Sequence, residues 1–126
     1  MTQGRRAARR TAVFLLYQWD VTGQPLASLY EGDVDAFARE LAESVAARAP
    51  ELDLTITAAA EGWTADRLGA VERAILRIGV QELESGAVPP EVAINEAVEL
   101  TKRYASDDAG KLVNGILARV ARERVA

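Results

Sequence analysis

Four arginines, Arg5, Arg6, Arg9 and Arg10, stand at the start of the chain, with no acid among the first ten residues. On a helix, at about 100° per residue, they fall at about 0°, 100°, 40° and 140°, so all four share one face. Guanidinium groups gathered in this way offer many donors to phosphate oxygens. Val13 and Tyr17 continue that face at about 80° and 120°. An apolar or aromatic surface beside arginines suits the unstacked bases of single-stranded RNA. The same pattern also fits a solvated helix start with Tyr17 turned into the core, and spacing alone leaves both readings open.

Other chemistry finds little support. The sequence has no cysteine and no histidine. That removes the thiol nucleophile, the disulfide framework, the commonest general base and the commonest metal ligand. Glu96 and Glu99 are three apart on one side of an expected helix. Without a partner base or nucleophile they read as an exposed pair or as ion-pair partners of Lys102 or Arg103, not as an acid–base site. Gly69, Gly79, Gly110 and Gly115 form no phosphate loop. We expect no catalytic residue, no cofactor and no metal, hence a chain that is not an enzyme.

Charge separates along the chain. Residues 1–10 carry a net +4, residues 31–99 hold 15 acids against 5 arginines, and residues 100–126 carry a net +3, while the whole chain carries −4. Such asymmetry gives a molecule one face for a polyanion and another for a basic partner, or else a set of ordinary solvated helix faces. The 126 residues suit one domain spanning 1–126. The apolar run from Ala12 to Tyr17 is too short to cross a bilayer or to serve as a signal-peptide core. We therefore expect a cytoplasmic protein without membrane contact.

Helical spacing pervades the sequence, and no segment alternates as a strand would. The first helix is expected over Gly4 to Thr22, with Ala8, Ala12, Leu15 and Trp19 as its core stripe. Its second half is apolar nearly all round, as in a helix buried on several sides. Asp33 is placed as the cap of a second helix that ends before Pro50. A third follows Pro50 and stops at Gly62. A fourth begins at Thr64 or Asp66 and ends near Gly86. A fifth covers Ala93 to Tyr104, and a sixth starts with Ser106 as its cap and Asp107 and Asp108 in its first turn. Gly79 and Gly115 lie inside expected helices, where each costs about 1 kcal/mol relative to alanine. Close approach of a neighbouring helix is the expected benefit. The sum is an all-α bundle of six helices.

Three blocks then carry a resemblance. They are Arg5-Arg6-Ala7-Ala8-Arg9 running into AVFLLYQW at 12–19, LGAVERAILRIGVQEL at 68–83, and VPPEVAINEAVELTKRYASDDAGKLVNGILARVA at 88–121. Together they resemble the bacterial NusB transcription antitermination family over nearly the whole chain, most weakly over 23–66. The resemblance implies the all-α NusB-like fold of two three-helix bundles packed together. It implies binding of the boxA element of nascent RNA together with NusE, a ribosomal small-subunit protein, within the RNA polymerase antitermination complex on ribosomal RNA operons. Arg5, Arg6 and Arg9 match the family's RNA-contacting start, and Arg10 joins them on charge and geometry. Asp108, Lys111 and Leu112 match the start of the last helix, which helps hold RNA. Many relatives carry phenylalanine where this chain has Leu112, which either meets a base or belongs to the inward-facing run. Tyr17 and Glu72 match positions that contact NusE. Some members self-associate over the RNA surface, so a homodimer stays open. Two other readings remain: a helical protein-interaction adaptor whose arginine face is idle, and the accessory domain of an RNA methyltransferase. The latter requires an α/β cofactor-binding domain, which these residues do not contain.

Overall fold

The structure, a computed structural model, describes residues 2–125, with side chains over 4–124. Among the described residues five α-helices make the fold: α1 (Thr2–Thr22), α2 (Ala36–Ala59), α3 (Ala70–Ser85), α4 (Pro90–Tyr104) and α5 (Asp107–Val125). Short 3-10 turns lie at Leu26–Leu29 and Ala65–Arg67. Among the described residues there is no strand. Helices α1, α2 and α3 pack against one another, and so do α3, α4 and α5. The two three-helix groups thus share α3, which explains why α3 is buried along an unbroken run from Ala74 to Val80.

The first group corrects the expected helix count. The second and third helices are one, because α2 runs through Pro50 without a break. An interior proline removes one backbone hydrogen bond and costs about 3 kcal/mol. Here Val45, Ala49, Leu52 and Ile56 are all buried on either side of it, so packing along both halves holds the helix together. Asp35, not Asp33, caps α2 through a bond from the Ala38 N–H to its carboxylate at 3.2 Å. The 3-10 turn occupies the place expected for the start of the next helix, and α3 begins only after Gly69.

The second group follows the sequence more closely. Helix α3 ends at Gly86, whose φ of 69° is the left-handed cap conformation that glycine adopts without strain. Pro90 opens α4 at its first turn, where the missing N–H is no loss. The Ser106 hydroxyl accepts from the Ala109 N–H at 3.0 Å at the start of α5. Val113, Ile116, Leu117 and Val120 then line the core. At Gly79 a Cβ would stand 2.7 Å from Leu117 Cδ1, so a larger residue on α3 would have to displace the buried Leu117 side chain of α5. Gly115 has no such neighbour, since a Cβ there meets nothing within 4 Å.

Candidate nucleic-acid and partner interface

The four N-terminal arginines do not act as one exposed face. Arg9 is buried at 3% exposure. It grips Glu82 of α3, with Nε 3.0 Å from Oε1 and Nη2 2.7 Å from Oε2. Its third nitrogen lies 3.6 Å from Glu96 of α4. Burial pulls its pKa down, yet the hydrogen bond and charge of Glu82, with the charge of Glu96, outweigh burial and raise it. Arg9 therefore stays charged inside the fold and ties α1 to α3 and α4. Glu96 also accepts from Arg6 Nε at 3.1 Å and 3.2 Å. Glu96 is itself buried and Glu99 is exposed, so the glutamates that share a side by spacing serve different environments.

The remaining arginines diverge from there. Arg5 lays its guanidinium 4.2 Å from the centroid of the Phe37 ring on α2, a cation–π contact. The Arg6 side chain is 54% exposed despite its bond to Glu96. Arg6 and Arg10 open on a hollow of about 560 Å³ whose other wall is α4, with Asn95, Glu99, Lys102 and Arg103. Val13, expected to continue the arginine face, is a core residue at 1% exposure.

The second group of expected RNA residues lies elsewhere. Asp108 and Lys111 are exposed in the first turns of α5. Leu112 is half-buried and packs against the core. Lys111 and Leu112 line a groove of about 370 Å³ between α5 and the segment after α2, together with Trp63, Gly115, Arg119 and Arg122. The structure thus joins Arg6 to Arg10, and Lys111 to Leu112, in two separate recesses.

The apolar second half of α1 is not buried all round, as its composition suggested. Phe14, Tyr17 and Val21 are exposed at 47%, 38% and 53%. They recur three and four residues apart and so form one stripe. Phe14 meets Tyr104 edge-on, with ring centroids 5.2 Å apart. At the end of this stripe Asp20 accepts from Arg73 Nε at 2.8 Å. Tyr17 stands three residues before Asp20 and Glu72 one before Arg73, so the contact sets their two turns side by side. Glu72 is half-buried, and its carboxylate bends back over Gly69, where a Cβ would come within 2.5 Å of it. A carboxylate at that first turn of α3 also favours the helix dipole.

Several polar residues inside the fold escaped the sequence reading. Arg77 is buried and pairs with Asp53 of α2 at 2.7 Å and 2.8 Å. Glu82 gave no local sign of its role, because its partner Arg9 lies 73 residues away. Arg9 did give one. Val13 and Leu16, both apolar, fall at about 80° and 20° on the wheel where Arg9 falls at about 40°, so Arg9 stands in line with a buried arc.

Comparison with known proteins places this geometry. The model of the NusB family matches residues 6–122. The chain belongs to the NusB family. The transcription antitermination protein NusB of Rubrobacter xylanophilus is 42% identical over 120 residues, which cover 90% of this chain and 86% of that protein. The NusB protein of Saccharopolyspora erythraea is also 42% identical, over 93% of this chain and 86% of its own. Among solved structures, antitermination factors NusB and NusE in complex with double-stranded RNA align with a TM-score of 0.84 and 32% identity, covering 98% of this chain and 99% of that one. NusB of T. maritima aligns with the same TM-score and identity over 94% and 91%. The NusB-like fold expected from the three sequence blocks is thus the fold found. No helix among the described residues is long and apolar enough to cross a membrane.

Proposed function

We propose that this chain is a transcription antitermination factor that binds boxA RNA together with NusE. It tethers nascent RNA to RNA polymerase and supports transcription of ribosomal RNA operons. The observation that carries this reading is the likeness, over 98% of the chain, to a NusB that is held with NusE on RNA. The protein acts in the cytoplasm by assembly and performs no catalysis, as one NusB-like RNA-binding domain over 1–126.

The residue assignments take the positions that the family resemblance implies and weigh them by exposure. Arg6 and Arg10 are the phosphate-binding pair at the start of α1, and Arg5 supports them from its place over Phe37. Arg9 holds the helix that carries them instead of touching RNA. Asp108, Lys111 and Leu112 form a second contact at the start of α5. Leu112 offers a base only its exposed edge, which packs without the stacking that an aromatic ring provides. NusE, as a basic ribosomal protein, meets the stripe of Phe14, Tyr17 and Val21 and the carboxylate of Glu72. Aromatic anchors flanked by charge are what a specific protein interface requires.

Electrophoretic mobility shift of a boxA oligoribonucleotide tests this reading. The chain with NusE is expected to retain boxA RNA and to release a scrambled sequence. Equal retention of both sequences, or none of either, would overturn it.

A further inference from the structure

Two hollows adjoin at the start of α1. The larger, of about 560 Å³, reaches along α4, and the second, of about 510 Å³, lies beside Ala7. Arg6, Arg10 and Arg103 line both. Three guanidinium groups at the junction of two recesses match the layout of a single strand, in which each phosphate stands between two nucleosides. We propose, resting on the RNA-binding reading above, that α4 forms the second wall of the RNA site. Arg103 joins Arg6 and Arg10 on the phosphate between two nucleotides, and Asn95 reads the edge of the base that enters the larger hollow.

Several observations support this assignment. Arg10 and Arg103 make no ion pair among the described residues, so their charge is unspent. Arg6 gives Glu96 its Nε–H, which leaves its terminal nitrogens to a ligand. Of the two acids that line the hollow, Glu96 is held by Arg6 and Arg9, and Glu99 reaches Lys102 only at 4.0 Å, with both side chains about half exposed or more. Such a pair contributes little and yields readily to a phosphate. Arg103 is also placed in advance. Its guanidinium lies 5.4 Å from the centroid of the Tyr104 ring, and Phe14 braces that ring edge-on. A cation already resting on an aromatic surface loses less freedom when it binds.

The larger hollow has the size and lining for one nucleotide. Its volume lies within the range of about 300–1,000 Å³ typical of small-ligand sites. Leu100 provides an apolar surface for a base. Asn95, also in the lining, is exposed. An amide offers both donors and an acceptor, the combination needed for a base edge. Arginines alone would bind any sequence, because phosphate contacts carry no sequence information.

The test titrates the full chain, with and without NusE, with a boxA oligoribonucleotide and a scrambled one over a range of salt. Arg103→Ala should weaken binding of both about tenfold, the size of one charge-assisted contact. It should also flatten the plot of log affinity against log salt by about 0.7, the value for one phosphate on a single strand. Asn95→Ala should keep the wild-type slope and lose about tenfold in preference for boxA. Both side chains are exposed, so both variants should melt with the wild type. If the wild type binds RNA and Arg103→Ala binds it equally well, α4 is not a wall of the site and this inference fails alone. Loss of NusE binding without loss of RNA binding would make the hollow a protein surface and overturn it likewise. A wild type that binds no RNA in either condition would remove the underlying reading as well.

Discussion

Replacing Arg9 with alanine separates a buried, ion-paired arginine from the neighbours proposed to bind RNA. The substitution leaves Glu82, 4% exposed, as a charge without its partner. Arg9 supplied it with bonds at 2.7, 3.0 and 3.1 Å, and removing one member of such a buried pair costs about 3–5 kcal/mol. Glu96 suffers less, because Arg6 still bonds to it. Against a total stability of about 5–15 kcal/mol, this is a large fraction. At this chain length about 4 °C accompanies each kcal/mol, so the midpoint should fall by roughly 12–20 °C. Urea unfolding followed by circular dichroism measures the loss, and RNA titration below the new midpoint measures the salt slope. The slope should match the wild type, whereas Arg6→Ala should lower it by about 0.7 and cost a smaller 1–3 kcal/mol or so, because Glu96 loses its hydrogen bonds but keeps the Arg9 charge 3.6 Å away. Replacing both partners by apolar residues, Arg9→Met with Glu82→Leu, should recover most of the stability, since no charge is then stranded. If Arg9→Ala melts with the wild type and loses slope as Arg6→Ala does, then Arg9 serves RNA and the buried pair is of no consequence.

Gly79→Ala should destabilise, because its Cβ would press on buried Leu117 and overpacking of about 1–3 kcal/mol exceeds the helix-propensity gain of about 1 kcal/mol. Gly115→Ala, in open space, should instead stabilise by about that 1 kcal/mol, and thermal melting compares the two. Glu72→Lys should weaken NusE binding by adding repulsion to lost attraction, with RNA binding by the isolated chain unchanged. Equal loss of both in calorimetric titrations would mark Glu72 as structural. Leu112→Phe should tighten RNA binding by part of the 1–3 kcal/mol or so that base–aromatic stacking provides. Lower stability with no gain in affinity would place Leu112 wholly in the core.

Sequence and structure agree where the deciding forces are local. The stripe of Ala8, Ala12 and Leu15 on α1 and the Ser106 cap of α5 depend on neighbours within a turn. Gly86 as a helix end likewise follows from its own φ. Agreement ends where a distant segment decides. Pro50 reads as a helix break until buried side chains on both sides of it are seen to hold α2 straight through. The arginine face reads as four equal cations until Glu82 arrives from α3 to claim one of them. Periodicity reports which residues share a face, but not what that face meets. For the same reason the second half of α1 reads as buried all round. Phe14, Tyr17 and Val21 stay exposed although Tyr104 of α4 meets the Phe14 ring, and that stripe is the surface proposed for NusE. The family resemblance rests on long blocks rather than single residues, and it gave the fold while leaving each arginine's environment to be found.

The most direct test of the central claim is the salt dependence of boxA affinity for the complex of this chain with NusE, compared with the same complex carrying Arg6→Ala and Arg10→Ala. The wild-type complex is expected to prefer boxA to a scrambled sequence. The double variant should lower the slope of log affinity against log salt by about 1.4, two phosphate contacts on a single strand, while NusE stays bound. A double variant with the wild-type slope and affinity would contradict that claim.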